Sequence, residues 1–276
     1  MTREELIGLM RHKRSFLCVG LDPDLRRLPP QLPQNTEGLH RFLHDIVLAT
    51  TPYAVAYKVN TAFFEALGPA GFSLLHEIIG TVPSDTFLIA DAKRGDIGNS
   101  AEQYAAAFFA PSGRPSRVDA VTVSPYMGHD SVMPFLAYPG KWTALLALTS
   151  NEGAVDFQLK KLDNGRYLFE EVLLTAQKWG SPDNLMFVAG ATRPELLQRV
   201  RSLVPRHVLL VPGVGVQGGS LPDVCRAALT ADGPVLVNVS RQVLYASSGA
   251  NYAEAAARMA ASYVREMNGY LSVVNA

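Results

Sequence analysis

Short, almost unbroken apolar runs recur along the chain, separated by longer stretches in which apolar residues return every three or four positions. Eight runs stand out: residues 15–22, 53–60, 86–93, 118–124, 143–150, 184–190, 207–213 and 234–240. A run that is apolar at nearly every position, rather than at alternate ones, suits a parallel strand covered on both faces. Between the runs, Leu39, Phe42, Leu43, Ile46 and Val47 follow the i, i+3, i+4, i+7, i+8 stripe of an amphipathic helix. Thr2 and Glu5 have the spacing of a capping box that opens a first helix. An alanine-rich stretch over 252–263 predicts a last helix, apolar along one side. Eight strands alternating with helices predict an α/β fold, a (β/α)₈ TIM barrel, with an open doubly wound sheet as the competing arrangement. Neither a linker nor a composition break divides the chain, so residues 1–276 are expected to form a single domain. The polar stretch PSGRPSR (111–117) reads as a connection inside it.

Composition narrows the partners more than the fold. Hydrophobic residues make up 48% of the chain and charged residues 18%, enough for a sizeable core. Lys+Arg and Asp+Glu number 25 each, so the broad basic excess of a nucleic-acid binder is absent and any pull on an anion has to be local. Cys18 lies in the apolar run FLCVG and reads as a buried strand residue; with Cys225 as the only other cysteine, a reducing compartment is expected. The charged, amphipathic start has no apolar signal core, and no stretch reaches the ~18 consecutive apolar residues of a membrane span. The expectation is a soluble, cytoplasmic protein with no membrane partner.

In a barrel, chemistry gathers at the C-terminal ends of the strands. Those ends carry Asp22, Lys58, Asp91 with Lys93, Ser150, PGVGVQGG (212–219), and Ser240 with Arg241. On a regular strand, positions i and i+2 share a face, which places Asp91 and Lys93 in one space with Lys58 on the preceding strand beside them. Alternating signs make such a cluster tenable, because an unpaired desolvated charge costs several kcal/mol. A structural ion-pair network is the bland explanation of any single pair; the whole set at barrel strand ends points to function. Asp96 falls beyond the strand end. Gly218 and Gly219 would let backbone approach an oxyanion, and Arg241 could clamp it, at the place where barrels often hold phosphate.

Three patterns are set aside. Gly213, Gly215 and Gly218 spell G-x-G-x-x-G, but after the seventh strand and with no acidic residue about 20 positions on, as a dinucleotide site needs. His40 and His44 have metal-ligand spacing without the glutamate of H-E-x-x-H, on a helix outside the barrel. His129 and Asp130 lie near the top face, where they could line the site or cap a helix.

The segment DAKRGDIGNS (91–100) resembles the signature D-x-K-x-x-D-I-x-N-T of orotidine 5′-phosphate decarboxylases. LDPD (21–24), YKVNTAFFE (57–65), LTSNEG (148–153), PGVGVQGG and the Ser240–Arg241 pair follow in the family's order over nearly the whole chain. The YKVN-x-AFFE form is similar to the larger bacterial branch. The resemblance implies cofactor-free decarboxylation of orotidine 5′-phosphate to uridine 5′-phosphate, without metal, by a homodimer. It implies that Lys58, Asp91, Lys93 and Asp96 are the charged tetrad, with Asp96 donated across the dimer to the partner's site. Lys93 would protonate C6, Asp91 would face the substrate carboxylate, and Lys58 and Asp96 would hold the array and touch the ribose. Asp22 would contact a ribose hydroxyl, Ser150 the pyrimidine, Gln217 both base and phosphate, and Arg241 the phosphate. Pro212 and Gly218 would belong to the same binding surface, and Ile97 and Ser100 would accompany Asp96 across the dimer. Ser100 stands where threonine is usual, and Ser240 where many members have glycine. PGVGVQGGSLPD is compact beside members that close a longer lid.

Three rival functions remain at this level. A metal-dependent sugar-phosphate decarboxylase or aldolase of the same superfamily would share D-x-K-x-x-D, but would need an acidic residue where Lys58 stands. A Schiff-base aldolase would use a strand-end lysine, which neighbouring aspartates would keep charged and poorly nucleophilic. A non-catalytic phosphate-binding barrel would leave three ionisable strand ends unexplained.

Overall fold

The computed structural model describes residues 1–113 and 116–271; Arg114 and Pro115 of the 111–117 connection lie outside them. Every predicted run becomes a strand. In chain order the elements are α1 (Arg3–Lys13), β1 (Leu17–Leu21), α2 (Thr36–Thr50), β2 (Ala56–Asn60), α3 (Ala62–Glu65), α4 (Gly68–Thr81), β3 (Phe87–Arg94), α5 (Gly98–Phe109), β4 (Ala120–Val123), α6 (His129–Leu136), β5 (Trp142–Leu148), α7 (Leu168–Ala176), β6 (Leu185–Ala189), α8 (Pro194–Leu203), β7 (Leu209–Pro212), α9 (Leu221–Ala228), β8 (Val235–Val239), α10 (Arg241–Leu244) and α11 (Tyr252–Asn268). All neighbouring strands pair in parallel, and β8 pairs with β1 through Leu17↔Val237 and Val19↔Val239, which closes the barrel. The open doubly wound sheet is thereby excluded.

The local reasons are legible. Strand β1 is buried at all five positions, as its unbroken apolar run requires. The Thr2 hydroxyl accepts the Glu5 N–H while the Glu5 carboxylate accepts the Thr2 N–H, the reciprocal pair that stops α1 from fraying. Helix α2 buries Leu39, Phe42, Leu43, Ile46 and Val47 and is capped by the Asn35 side chain on the Gly38 N–H. The last helix runs to Asn268, five residues past its predicted end at 263, because buried Met267 returns to the core and its sulfur accepts the Phe16 N–H. Under the barrel floor, buried Arg201 gives its guanidinium to the carbonyls of Ala228, Val204, Pro205, His207 and Pro234. Phe87 and Trp142 meet edge to face at 6.0 Å, a contact worth about 1 kcal/mol beyond its buried area. Among the described residues no helix is long and apolar enough to cross a membrane.

One irregularity matters for the site. Strands β3 and β4 pair at Ala90↔Val121 and resume at Arg94↔Val123, so three residues of β3 stand against Thr122 alone. Bulges of this sort re-aim side chains near functional sites.

Candidate active site

The ends of β1, β2 and β3 bring four ionisable groups together. Lys58 Nζ donates to Asp91 Oδ2 at 2.7 Å and lies 3.7 Å from Asp22 Oδ1. Lys93 Nζ donates to Asp91 Oδ1 at 2.6 Å. Charges therefore alternate from Asp22 through Lys58 and Asp91 to Lys93. The Lys58 side chain is only 6% exposed, whereas that of Lys93 is 51% exposed and faces the opening. Burial alone would depress the Lys58 ammonium, yet Asp22 and Asp91 outweigh it and hold its pKa above the ordinary lysine value. Burial likewise pushes the Asp91 carboxyl up, but Lys58 and Lys93 win and keep it well below the usual carboxylate range. Lys58 and Asp91 therefore both stay charged despite their burial. Neighbouring Cys18, free and buried, is pushed up to about 12 by desolvation and contributes no thiolate.

Asp91 and Lys93 converge for a reason that a regular strand does not supply. Lys93 adopts φ +46, in the left-handed region, inside the bulge. A non-glycine residue there carries a cost of about 1–2 kcal/mol, and its backbone N–H has left the ladder to donate to Thr122 Oγ1 at 2.9 Å.

Asp22, Lys58, Asp91, Lys93, Ser150, Pro212 and Gln217 border a cavity of about 420 Å³ at the strand ends. Next to it, Asp22, Pro212, Gln217 and Arg241 border a recess of about 80 Å³. The loop after β7 shapes that recess. Gly213, Gly215 and Gly218 all have positive φ, and the loop closes on itself through Gly215 N–H to the Gly219 carbonyl and Gly219 N–H to the Gly213 carbonyl. Ser150 Oγ donates to Gln217 Oε1 at 2.8 Å, tying the loops after β5 and β7 together. Among the described residues, Ser240 Oγ, buried beside the recess, has no hydrogen-bond partner, and Asp22 Oδ1 has no neighbour of opposite charge but the Lys58 ammonium 3.7 Å away.

Not every expected residue joins this cavity. Asp96, Ile97 and Ser100 sit at the entrance to α5 and border neither space; the Asp96 carboxylate accepts the Ile97 N–H at 2.8 Å. Gly218 belongs to the β7 loop without lining either space. His129 and Asp130 open α6, with His129 edge-on to Trp179 at 5.7 Å, away from the cavity. His40 and His44 stack at 6.1 Å on α2, and among the described residues no group of three His, Cys, Asp or Glu could hold a metal. The G-x-G-x-x-G spelling follows the seventh strand, in a loop leading to α9.

Sequence reasoning assigned no role to two buried polar residues of the cavity wall, Thr122 and Asn238. Each is a polar residue buried inside an otherwise apolar strand, and that isolated polarity was the available signal.

A family model described as "Orotidine 5'-phosphate decarboxylase / HUMPS family" matches residues 15–257. An orotidine 5'-phosphate decarboxylase from Phocaeicola vulgatus is 44% identical over 270 residues, covering 97% of this chain and 98% of that protein. One from Porphyromonas gingivalis is 48% identical, covering 97% and 96%. Among solved structures, Leishmania donovani OMP decarboxylase superposes with TM-score 0.81 at 36% identity, covering 98% of this chain and 99% of its own. Leishmania donovani UMP synthase gives TM-score 0.83 at 38% identity, with 97% of this chain matched to 57% of that longer one.

Proposed function

Because the chain belongs to the orotidine 5′-phosphate decarboxylase / HUMPS family, we infer that it is a carboxy-lyase converting orotidine 5′-phosphate to uridine 5′-phosphate, a step of pyrimidine nucleotide synthesis. The observation that carries this reading is the Lys58–Asp91–Lys93 chain of contacts at 2.7 and 2.6 Å, set beside a recess that Arg241 borders.

Breaking the bond between C6 and the carboxylate leaves the electron pair on C6 as carbon dioxide departs. The ring offers that pair little delocalisation, so the site has to favour it electrostatically. Lys93 is the group placed to do so. Its ammonium lies where the negative charge grows, and its proton then passes to C6, leaving a neutral amine that solvent reprotonates. Asp91 faces the departing carboxylate. Lys58, buried and fixed, holds Asp91 ionised from behind. Asp22, which borders both the cavity and the recess, takes a ribose hydroxyl. Ser150 and Gln217 meet the pyrimidine, and Gln217 and Arg241 the phosphate, with Pro212 and Gly218 shaping the loop. Phosphate binding far from C6 contributes orientation and closure.

Asp96, Ile97 and Ser100 do not border the chain's own cavity, and Ile97 is 54% exposed. In this reading the protein is a homodimer, and these three complete the partner's site. No metal is required: both Asp91 oxygens are occupied by ammonium groups, and Lys58 stands where a metal-dependent relative needs an acid. The test is to mix purified protein with orotidine 5′-phosphate and follow its ultraviolet band. Uridine 5′-phosphate and carbon dioxide should appear in equal amounts; an unchanged band would refute the assignment.

A further inference from the structure

Thr122 lies on β4 opposite the bulge, 1% exposed, with a single hydroxyl proton and two contacts to satisfy. Its Oγ1 donates to Asp91 Oδ1 at 2.9 Å and accepts the Lys93 backbone N–H at 2.9 Å. Asp91 Oδ1 also receives the Lys93 ammonium at 2.6 Å. The contacts form a ring: carboxylate, hydroxyl, lysine backbone, lysine ammonium. The N–H that the bulge removes from the ladder takes the hydroxyl as its partner in a part-buried setting, which holds the hydroxyl's lone pair toward Lys93 while its proton points to Asp91. One side chain thereby fixes the left-handed backbone of Lys93 and the rotation of the Asp91 carboxylate.

We propose that Thr122 is a positioning residue for decarboxylation, setting where the Lys93 ammonium and the Asp91 carboxylate stand relative to C6 while supplying neither charge nor proton. The proposal rests on the decarboxylase reading. A threonine that merely satisfied the fold would, when altered, weaken ligand binding and turnover together. A positioning threonine acts on turnover. The product lacks the carboxylate that Asp91 faces, and its ribose and phosphate are held by Asp22, Gln217 and Arg241 on other elements.

The experiment compares Thr122→Val, which keeps the shape and removes the hydroxyl, with Thr122→Ser, which keeps the hydroxyl. Steady-state kinetics with orotidine 5′-phosphate and calorimetric titration with uridine 5′-phosphate are measured on each. Misplacement of reacting groups by about 1 Å costs roughly 10²-fold, and kcat of T122V should fall on that order. Its uridine 5′-phosphate Kd should stay within about threefold, under 1 kcal/mol, and T122S should recover most of the lost turnover. Should T122V not fold, Thr122→Ala takes its place; should neither fold, the hydroxyl is structural and the proposal is overturned. It is equally overturned by near-wild-type kcat without the hydroxyl, by loss of product affinity in step with kcat, or by T122S as impaired as T122V. Failure of the underlying reading would show separately, as a wild-type protein that leaves orotidine 5′-phosphate intact.

Discussion

Burial drives single ionisable side chains in this barrel to opposite outcomes, according to whether a counterion is buried with them. Lys58 and Asp91 remain ionised while buried because each is the other's counterion, which confines their titration to the extremes of pH. His207 is the opposite case. It is buried, neither ring nitrogen has a hydrogen-bond partner, and its ring packs 5.2 Å from Phe187. Desolvation, then the nearby Arg201 guanidinium, depresses it to about 4 from an ordinary 6.5. The unfolded chain therefore binds the extra proton between pH 6.5 and 4 while the native chain does not. Stability is complete above pH 6.5 and falls as pH drops through that window, by up to about 3 kcal/mol. Asp91, held below its ordinary 3.8, loses its contribution only at lower pH. Urea titrations of wild type and His207→Leu at pH 7 and pH 5 check this: wild type should lose midpoint on acidification and the variant should lose little. Equal losses would assign the acid sensitivity elsewhere.

Among elements, the loop after β7 has little room to spare where it meets the chain beyond β6. A Cβ on Gly219 would stand 2.6 Å from Ala191 Cβ and 2.7 Å from the Gly213 carbonyl oxygen, so the loop would have to move off the segment after β6 and carry Gln217 away from Ser150. Overpacking of this kind costs ~1–3 kcal/mol, and we expect Gly219→Ala to raise substrate KM about tenfold or more; unchanged kinetics would show that the loop does not shape the phosphate recess. How much of this could be read from sequence follows the same physics. Strands announced themselves because burial on both faces forces unbroken apolar runs, and Lys58, Asp91 and Lys93 because ionisable residues end those runs. Thr122 and Asn238 did not, since one polar residue within a strand is ordinary until pairing shows what it faces. The bulge was also hidden: i, i+2 spacing placed Asp91 and Lys93 on one face, whereas the observed route is a left-handed lysine within three β3 residues that stand against Thr122 alone. The end of α11 was misjudged because Met267 becomes core only once β1 lies beside it.

At the scale of the molecule, the loops after β3 and β4 present exposed apolar side chains. Ile97, Met127 and Tyr126 are exposed, Tyr126 at 82%, on the loops after β3 and β4, and such patches commonly mark association surfaces. With Asp96 on the same stretch, the proposed dimer makes each site a composite of two chains. Co-expressed Lys93→Ala and Asp96→Asn chains should then form mixed dimers with measurable activity, because one of their two sites is intact; activity no greater than the sum of the parents would place Asp96 outside the partner's site. The central claim, that fixed ammonium and carboxylate groups stabilise the carbanion without metal, is tested most directly by the decarboxylation rate of EDTA-dialysed wild type beside Lys93→Ala. The account predicts full wild-type turnover under chelation and none detectable from the folded variant. Loss of wild-type activity that added divalent metal restores, or near-normal turnover without the Lys93 ammonium, would contradict it.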